Sequence, residues 1–480
     1  KGASEVILPK CSRYLDEFGY KQLILHRDVL DKEIDEATNK GIRVICLAYN
    51  NDSGKNLDNL ILLGFLFIKD EVRDESIMGV KLIKNAGIDI VMITGDNKNT
   101  AVNIAREVGI ISSCNDMAIT SRELNRMSDE EVINNLSKLK VIARAMPDDK
   151  SRLVNLAKKC GLVVGMTGDG VNDAIALKRA DVGFSMGSGT EVAKEASDIV
   201  IIDDNILSIE KAILYGRCIF KSIRKFIIFQ LTVNFCAVSI SIIGPFIGIP
   251  TPVTVIQMLW INMVMDTLAG LAFSYEPAMD EYMLEKPKRR NEEIINKYML
   301  NEILITGLYS SLICILFLKN DFIHSLFRDG DNDKYLMTAF FGLFIFMSIF
   351  NSFNARTNRL NILSNITKNK VFLIITLFIV VVQILMIYYG GDTFRTSGLN
   401  IREFMIMVLI ALTVIPIDFL RKIFLKRNNY KMHFRNASRQ IIIIDNMDTG
   451  KVVKFAEELA GYVWEKDKFE LNIGIDSAGS

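Results

Sequence analysis

The chain has 480 residues, with 57 basic and 56 acidic side chains, a formal net charge of +1 and a hydrophobic content of 50%. This balanced charge excludes the strongly basic character of many nucleic-acid-binding proteins, so we expect no nucleic-acid partner. Charged residues recur every few positions before residue 225, and long charge-poor stretches follow it. That uneven distribution excludes one compact soluble domain.

The first 69 residues have the mixed pattern of a small α+β module. Short apolar runs at residues 5–8 and 60–68 are typical of strands, and the polar segment 28–40 is typical of a helix. A further strand-like run follows that helix at residues 43–48. We therefore interpret residues 1–69 as the end of an α+β domain.

Between residues 70 and 210, apolar runs alternate with helical patterns. Such alternation predicts a parallel sheet with helices on both faces. The predicted strands are residues 88–93, 141–143, 162–166, 182–186 and 199–202, and the predicted helices are residues 99–108, 150–159 and 173–179.

Polar clusters follow three of these strands. Thr94-Gly95-Asp96 follows the first strand, residues 144–150 follow the second, and Thr167-Gly168-Asp169-Gly170-Val171-Asn172-Asp173 follows the third. Ligands bind beyond the carboxyl ends of the strands in such sheets, and glycines let the backbone approach a ligand closely. We therefore expect the three clusters to form one site.

The residue types in these clusters suit the transfer of a phosphoryl group. Lys150 supplies a positive charge, Thr94 supplies a hydroxyl group, and Asp169 supplies a carboxylate of the kind that binds Mg²⁺. Asp173 is expected behind Asp169, in the second shell of the metal. The predicted catalytic residues are Thr94, Gly95, Asp96, Lys150, Asp169, Asn172 and Asp173.

The nucleophile of such a reaction is missing from this pattern. A haloacid-dehalogenase-type enzyme needs an aspartate directly after a buried strand, which attacks phosphorus to form an aspartyl phosphate. Asp203 follows the apolar run 199–202, but it comes after the magnesium loop and lacks the second aspartate and the following Gly-Thr pair that are expected in that family. We interpret that run as the last strand of the sheet and expect the reacting aspartate outside these residues.

Six membrane spans are predicted after residue 211. A span needs about 20 mostly apolar residues, so the first long stretch is divided at the turn Gly248-Ile249-Pro250-Thr251-Pro252. Basic residues before the first span and after the second, fourth and sixth predict that both ends of the chain are cytoplasmic. The predicted spans are residues 226–248, 253–274, 299–318, 335–354, 371–390 and 403–422.

Asp266 is the most informative residue in the spans. A carboxylate inside a span costs about 2.5 to 3.5 kcal/mol on insertion scales, so it usually marks an ion path. Asn262 lies four residues earlier and is expected on the same helical face, and Asn234 on the preceding span can face both. We predict that these three residues bind a transported cation, with an ordinary contact between helices as the alternative.

The motifs resemble those of the P-type ATPases. The loop from Thr167 to Asp173 is similar to the family's hinge signature, with Ala174-Ile175 in place of the usual residue-proline pair. Thr94-Gly95-Asp96 resembles the second phosphate loop of the family. The resemblance implies Mg²⁺ and ATP as cofactors, and nucleotide contacts by Lys1, Gly2, Arg43 and Arg144.

The resemblance also implies the fold and the domain organisation. We expect an α/β haloacid-dehalogenase-like phosphorylation domain with a Rossmann-type parallel sheet, followed by an all-α membrane domain of six helices in the lipid bilayer. Residues 1–69 would be the C-terminal part of a nucleotide-binding domain, 70–210 the phosphorylation domain without its nucleophile strand, 211–425 the membrane domain and 426–480 a cytoplasmic tail.

Calcium pumps of the plasma-membrane type resemble the chain most closely around residues 229–234, 257–268 and 351–356. Reticulum-type pumps carry acids where this chain has Ala237 and Ser348, so the resemblance implies one calcium per ATP. Manganese is the alternative cation, because oxygen ligands suit it too.

The resemblance covers only the C-terminal half of such a pump. The motif Asp-Lys-Thr-Gly-Thr is absent, so we expect an N-terminal half as a partner and no activity of these residues alone. The alternative is a split or truncated, non-catalytic membrane protein that binds a nucleotide or an ion. A helix is predicted at residues 452–465, but its polar face mixes both charges, so calmodulin binding is not expected.

Overall fold

The computed structural model describes residues 1–427 and 440–445, apart from residues 17, 19, 40–41, 50–58, 69–71, 250, 289, 291 and 330–332. These residues form two compact units. The first contains residues 1–211, 284–290 and the strand 440–445, and the second contains residues 212–283 and 291–427. The predicted helix at 452–465 lies outside the described residues.

A small mixed sheet opens the first unit. Its strands are β1 (Gly2–Ala3), β2 (Cys11–Leu15), β3 (Lys21–Leu23), β4 (Arg43–Tyr49) and β5 (Leu60–Ile68), in the spatial order β1-β4-β5-β2-β3. Helices α1 (Ser4–Ile7) and α2 (Arg27–Asn39) accompany it. The prediction of a strand at residues 5–8 is wrong. Pro9 has a fixed φ, which fits the first turn of the 3₁₀ helix Leu8–Lys10, and this helix continues α1.

The large sheet of the first unit is parallel throughout, as expected for the haloacid-dehalogenase-like fold. Its strands are β6 (Ile88–Ile93), β7 (Met117–Thr120), β8 (Leu139–Ala143), β9 (Val163–Gly168), β10 (Val182–Met186), β11 (Ile199–Ile201) and β12 (Gln440–Asp445), in the order β11-β10-β9-β12-β6-β8-β7. Its helices are α3 (Asp74–Asn85), α4 (Lys98–Glu107), α5 (Ser121–Arg126), α6 (Asp129–Asn135), α7 (Pro147–Lys159), α8 (Ala174–Arg179) and α9 (Glu191–Ala196). The run predicted as the last strand of the sheet forms β11 at its edge, although β12 follows it in the sequence.

Strand β12 lies in the middle of this sheet, between β6 and β9. The sequence analysis assigned these residues to a tail outside the phosphorylation domain, and the structure corrects that assignment. The four isoleucines from Ile441 to Ile444 are only 0–4% exposed, so the segment completes the core as well as both backbone ladders.

The second unit is helical, and six segments of its described part are long and apolar enough to cross a membrane. They are α10 (Ile206–Phe246), α11 with α12 (Val255–Trp260 and Asp266–Ser274), α13 (Lys297–Lys319), α15 (Lys334–Arg356), α16 (Lys370–Tyr389), and α18 with α19 (Ile401–Leu412 and Val414–Arg427). Short helices α14 (Asp321–His324) and α17 (Gly391–Phe394) lie between spans. The prediction of six apolar helices is confirmed.

Two local features shape the first pair of spans. Helix α10 ends at Phe246, and Gly248 adopts a left-handed φ of 85° where the turn was predicted. The next span is interrupted by one π-helical turn, Ile261–Met265, directly before Asp266. Such turns are frequent at functional sites in helices.

Candidate functional site

The loops after β6 and β8 are joined by backbone hydrogen bonds. The amide of Arg144 donates to the carbonyl oxygen of Asp96 at 2.9 Å, and the amide of Ala145 donates to that of Thr94 at 3.0 Å. Arg144 has a left-handed φ of 53°, so the chain turns sharply here before α7 begins. Two of the three predicted polar clusters are therefore in direct contact.

Thr94 closes its own loop. Its hydroxyl group donates to Oδ2 of Asp96 at 3.1 Å and accepts from the Asp96 amide at 3.1 Å. Thr94 is buried, whereas a Cβ atom added to Gly95 would meet no atom within 4 Å. The backbone at Gly95 thus faces open space at the carboxyl edge of the sheet, where a phosphate could approach it.

The third cluster is organised by Asp173. Its Oδ1 accepts a hydrogen bond from Nζ of Lys150 at 2.6 Å, and its Oδ2 accepts from the amides of Gly170 at 3.0 Å and Asp169 at 3.3 Å. Lys150 and Asp173 are 8% and 2% exposed. Because Lys150 lies on α7 and Asp173 follows β9, this buried ion pair joins the second cluster to the third.

The residues present fit a magnesium ion held mainly by Asp169. Both carboxylate oxygens of Asp173 already have partners, so this residue positions the loop, while Asp169 is only half-buried. No group of three or more metal-binding side chains occurs among the described residues. Mg²⁺ nevertheless needs only one or two carboxylates when waters and phosphate oxygens complete its shell. Asn172 is exposed beside this loop.

Asp445 is a residue that the sequence analysis missed. It is the last residue of β12. On one side it pairs with Ile93 of β6, the residue before Thr94. On the other side, Ile443, two positions earlier in β12, pairs with Met166 of β9. The backbone of Asp445 is therefore placed between the loop after β6 and the loop after β9. The available signal was an aspartate directly after four isoleucines.

The predicted nucleotide residues come from two segments of the first unit, which meet where Arg144 contacts Glu5. Gly2 pairs with Cys46 of β4. Arg43 begins the same strand, three residues or about 10 Å from Cys46. Lys1 is exposed at the start of the chain. Arg144 instead lies at the end of β8, where its Nη2 contacts Oε1 of Glu5 at 3.0 Å.

In the second unit, Asp266 is 8% exposed and lies against α10. Nε2 of Gln230 donates a hydrogen bond to its Oδ2. Oδ1 of Asp266 and Oε1 of Gln230 are buried and have no hydrogen-bond partner within the described part of the chain. Two buried acceptor oxygens without donors suit a cation, so the structure brings Gln230 into the predicted ion site.

The other two predicted ion ligands are placed differently. Asn234 is half-buried and lies one helical turn after Gln230, on the same face of α10. Asn262 is exposed in the π-helical turn, whereas Asp266 is buried. Asn262 and Asp266 therefore differ in exposure, although only four positions separate them. The spacing of Gln230 to Asn234 was the signal that could have revealed Gln230.

A small cavity between α10, α13 and α15 has a lining of mixed polarity without an acidic residue. Its lining residues are Thr232, Val233, Cys236, Ser310, Phe344, Met347, Ser348 and Asn351. The hydroxyl group of Ser348 donates to the carbonyl oxygen of Phe344 at 2.8 Å, and Ala237 is buried nearby in sequence.

Comparisons with known proteins agree with this architecture. Residues 12–181 match the model of haloacid dehalogenase-like hydrolases, and residues 250–424 match that of the C-terminus of cation transporting ATPases. The fold and the site thus define a class of protein in which a phosphorylation domain is followed by a helical membrane domain.

Individual relatives narrow the class. The chain is 37% identical to the calcium-transporting ATPase PAT1 of Dictyostelium discoideum, over 88% of this chain and 42% of the relative. It is 36% identical to plasma membrane calcium-transporting ATPase 1 of Homo sapiens, over 86% of this chain and 37% of the relative. It is 37% identical to the putative plasma membrane-type calcium-transporting ATPase 13 of Arabidopsis thaliana, over 88% of this chain and 42% of the relative. The chain is thus homologous to calcium-transporting P-type ATPases over most of its own length, and it spans about two fifths of the length of these relatives.

Proposed function

We propose that this chain forms the phosphorylation and ion-transport part of an ATP-driven pump that exports calcium from the cytosol. The observation that carries the proposal is the pairing of two sites in one chain. One is the junction of three polar loops at the edge of a parallel sheet, and the other is the buried carboxylate of Asp266 inside an apolar span.

The first site suits phosphoryl transfer. The Thr94 hydroxyl group and the Gly95 amide would bind phosphate oxygens, and Lys150 would add positive charge close to them. Mg²⁺ bound at Asp169 would neutralise phosphate charge. Phosphoryl transfer needs mainly such positioning and charge neutralisation. Asp173 holds Lys150 next to the loop of Asp169 through its three hydrogen bonds.

Two candidates exist for the aspartate that accepts the phosphate. The resemblance places it in an Asp-Lys-Thr-Gly-Thr motif, which these 480 residues do not contain. The register of β12 supports Asp445 as a second candidate within the chain. Incubation of the chain with labelled acetyl phosphate and Mg²⁺ distinguishes them: an acid-stable label that disappears in Asp445→Asn identifies Asp445, and an unlabelled chain excludes it.

The second site suits one calcium per cycle. Asp266 supplies the charge, and Asn234 and Asn262 are amide ligands of the proposed site. Ala237 and Ser348 carry no charge where a second site would need acids, and the nearby cavity lining is neutral. Manganese is the second candidate ion, and a non-catalytic half-pump that binds an ion or a nucleotide is the alternative of another class.

Calcium uptake into vesicles by the protein that carries this chain tests the proposal. Asp266→Asn should abolish ATP-dependent uptake, while Thr267→Val, the exposed neighbour, should preserve it. Asp169→Asn should abolish phosphorylation, while the exposed Glu130→Gln should not. Uptake that survives Asp266→Asn would show that the ion site is elsewhere, and preferential uptake of manganese would identify that cation.

A further inference from the structure

Gln230 and Asp266 form a partly buried amide–carboxylate pair, and each side chain has one buried oxygen without a hydrogen-bond partner among the described residues. Nε2 of Gln230 donates to Oδ2 of Asp266, and the remaining oxygens, Oε1 and Oδ1, have no partner among the described residues. An unsatisfied buried polar group costs about 1–3 kcal/mol. Two such atoms at the ends of a single hydrogen-bonded pair point to a ligand that is bound in another state of the protein.

The two residues lie on apolar spans. Phe229 and Met265, the chain neighbours of the two residues, are 0% and 2% exposed. A carboxylate in such surroundings needs a donor or a cation close to it. In this structure the donor is the Gln230 amide, whose nitrogen satisfies one of the two carboxylate oxygens.

The amide group of Gln230 can stabilise both the ion-free and the ion-bound state without a change in side-chain volume. A glutamine side chain carries two N–H donors on one atom and an acceptor oxygen on the other, and rotation about its last torsion exchanges their positions. With nitrogen towards Asp266, Gln230 stabilises the carboxylate when no ion is present. With oxygen in that place, it becomes a neutral ligand for a cation that also contacts Asp266.

We propose that Gln230 is a ligand of the transported cation and that its amide turns over when the ion binds. This inference rests on the proposed ion site at Asp266. Asn234 lies four residues further along α10, so Gln230 and Asn234 present two amide groups on one helical face. The site thereby gains neutral oxygens without a second acid, which suits a hard divalent cation such as calcium.

Calcium binding to the full chain in membranes or detergent, measured with radioactive calcium alone, tests the inference. Gln230→Leu should weaken binding by about tenfold or more, which corresponds to about 1.4 kcal/mol. Gln230→Glu keeps an oxygen ligand, removes the N–H donor and adds a negative charge that attracts a divalent cation, so it should bind calcium at least as tightly as wild type. The matched control is Thr232→Val, because the Thr232 hydroxyl group donates to Ile228 of its own helix at 2.7 Å.

The variants separate three results. If Gln230→Leu binds calcium as wild type does while Asp266→Asn does not, Gln230 is no ligand and the proposed ion site stands. If Gln230→Glu is as weak as Gln230→Leu, the N–H donor alone matters, and the inference is overturned in favour of a purely structural contact. If wild type and Asp266→Asn bind calcium equally, the proposed function itself has lost its ion site, and the inference falls with it.

Discussion

Gly168 leads directly into the loop that carries Asp169. A Cβ atom added to Gly168 would lie 2.5 Å from Cβ of Asp173, the residue that also holds Lys150 and two loop amides. Glycine is therefore required here by close approach to another side chain. The sequence predicted the glycine-rich loop, and the structure adds which contact demands this particular glycine.

Replacement of Gly168 by alanine should destabilise the first unit by about 1–3 kcal/mol, because the added methyl group overpacks the loop. It should also abolish phosphorylation, since Asp173 must move. The control is Gly95→Ala, which meets no atom within 4 Å and should leave the thermal unfolding midpoint unchanged. Equal midpoints for both variants would contradict this account of the loop.

The pair Lys150–Asp173 makes a second prediction at this scale. Removal of one partner takes the opposite charge away from a buried charged side chain, so Lys150→Met or Asp173→Asn alone should each cost up to about 3–5 kcal/mol. The double variant should cost clearly less than the sum, because neither buried charge is then present. Denaturant unfolding of the four proteins measures this, and strictly additive losses would disprove the coupling.

At the scale of elements, β12 is the main difference from expectation. Its isoleucine run was recognised as strand-like, but its pairing with β6 and β9 joins residues more than 270 positions apart. Periodicity reports which residues form a strand and says nothing about its neighbours. One helix end in the second unit also depends on a distant segment. Nζ of Lys422 donates a hydrogen bond at 3.0 Å to the backbone carbonyl oxygen of Asn354, which lies 68 positions earlier in the sequence.

Ile443→Asp tests whether β12 supports the sheet. Ile443 is 0% exposed between two strands, so a carboxylate there should open the sheet and make the first unit sensitive to limited proteolysis. Ile202→Asp is the matched control, because Ile202 is 87% exposed just beyond the edge strand β11. Resistance of Ile443→Asp equal to that of the control would argue against the central position of β12.

At the scale of the whole molecule, the apolar segments determine how the chain crosses a membrane. Six spans place residues before α10 and after α19 on the same side, and basic residues favour the cytoplasmic side for both. The relatives that match the chain are membrane calcium-transporting ATPases, in agreement with a multi-pass protein.

Glycosylation mapping tests this orientation. An acceptor sequence introduced at residues 325–327, between α14 and α15, should be glycosylated in microsomes. One introduced at residues 361–363, between α15 and α16, should remain unmodified because the predicted orientation places that loop on the cytoplasmic side. Modification at the second position would require a reversed orientation or a different number of spans.

The sequence by itself determined the class of protein, the six apolar segments and the three polar loops of the proposed phosphate site. These features depend on local patterns, namely the length of apolar runs and the residues that directly follow a strand. Only the tertiary structure placed β12 at the centre of the sheet, paired Gln230 with Asp266 and left Asn262 exposed. Those outcomes depend on which distant segments pack together, and helical or strand periodicity in one segment contains no information about its partner.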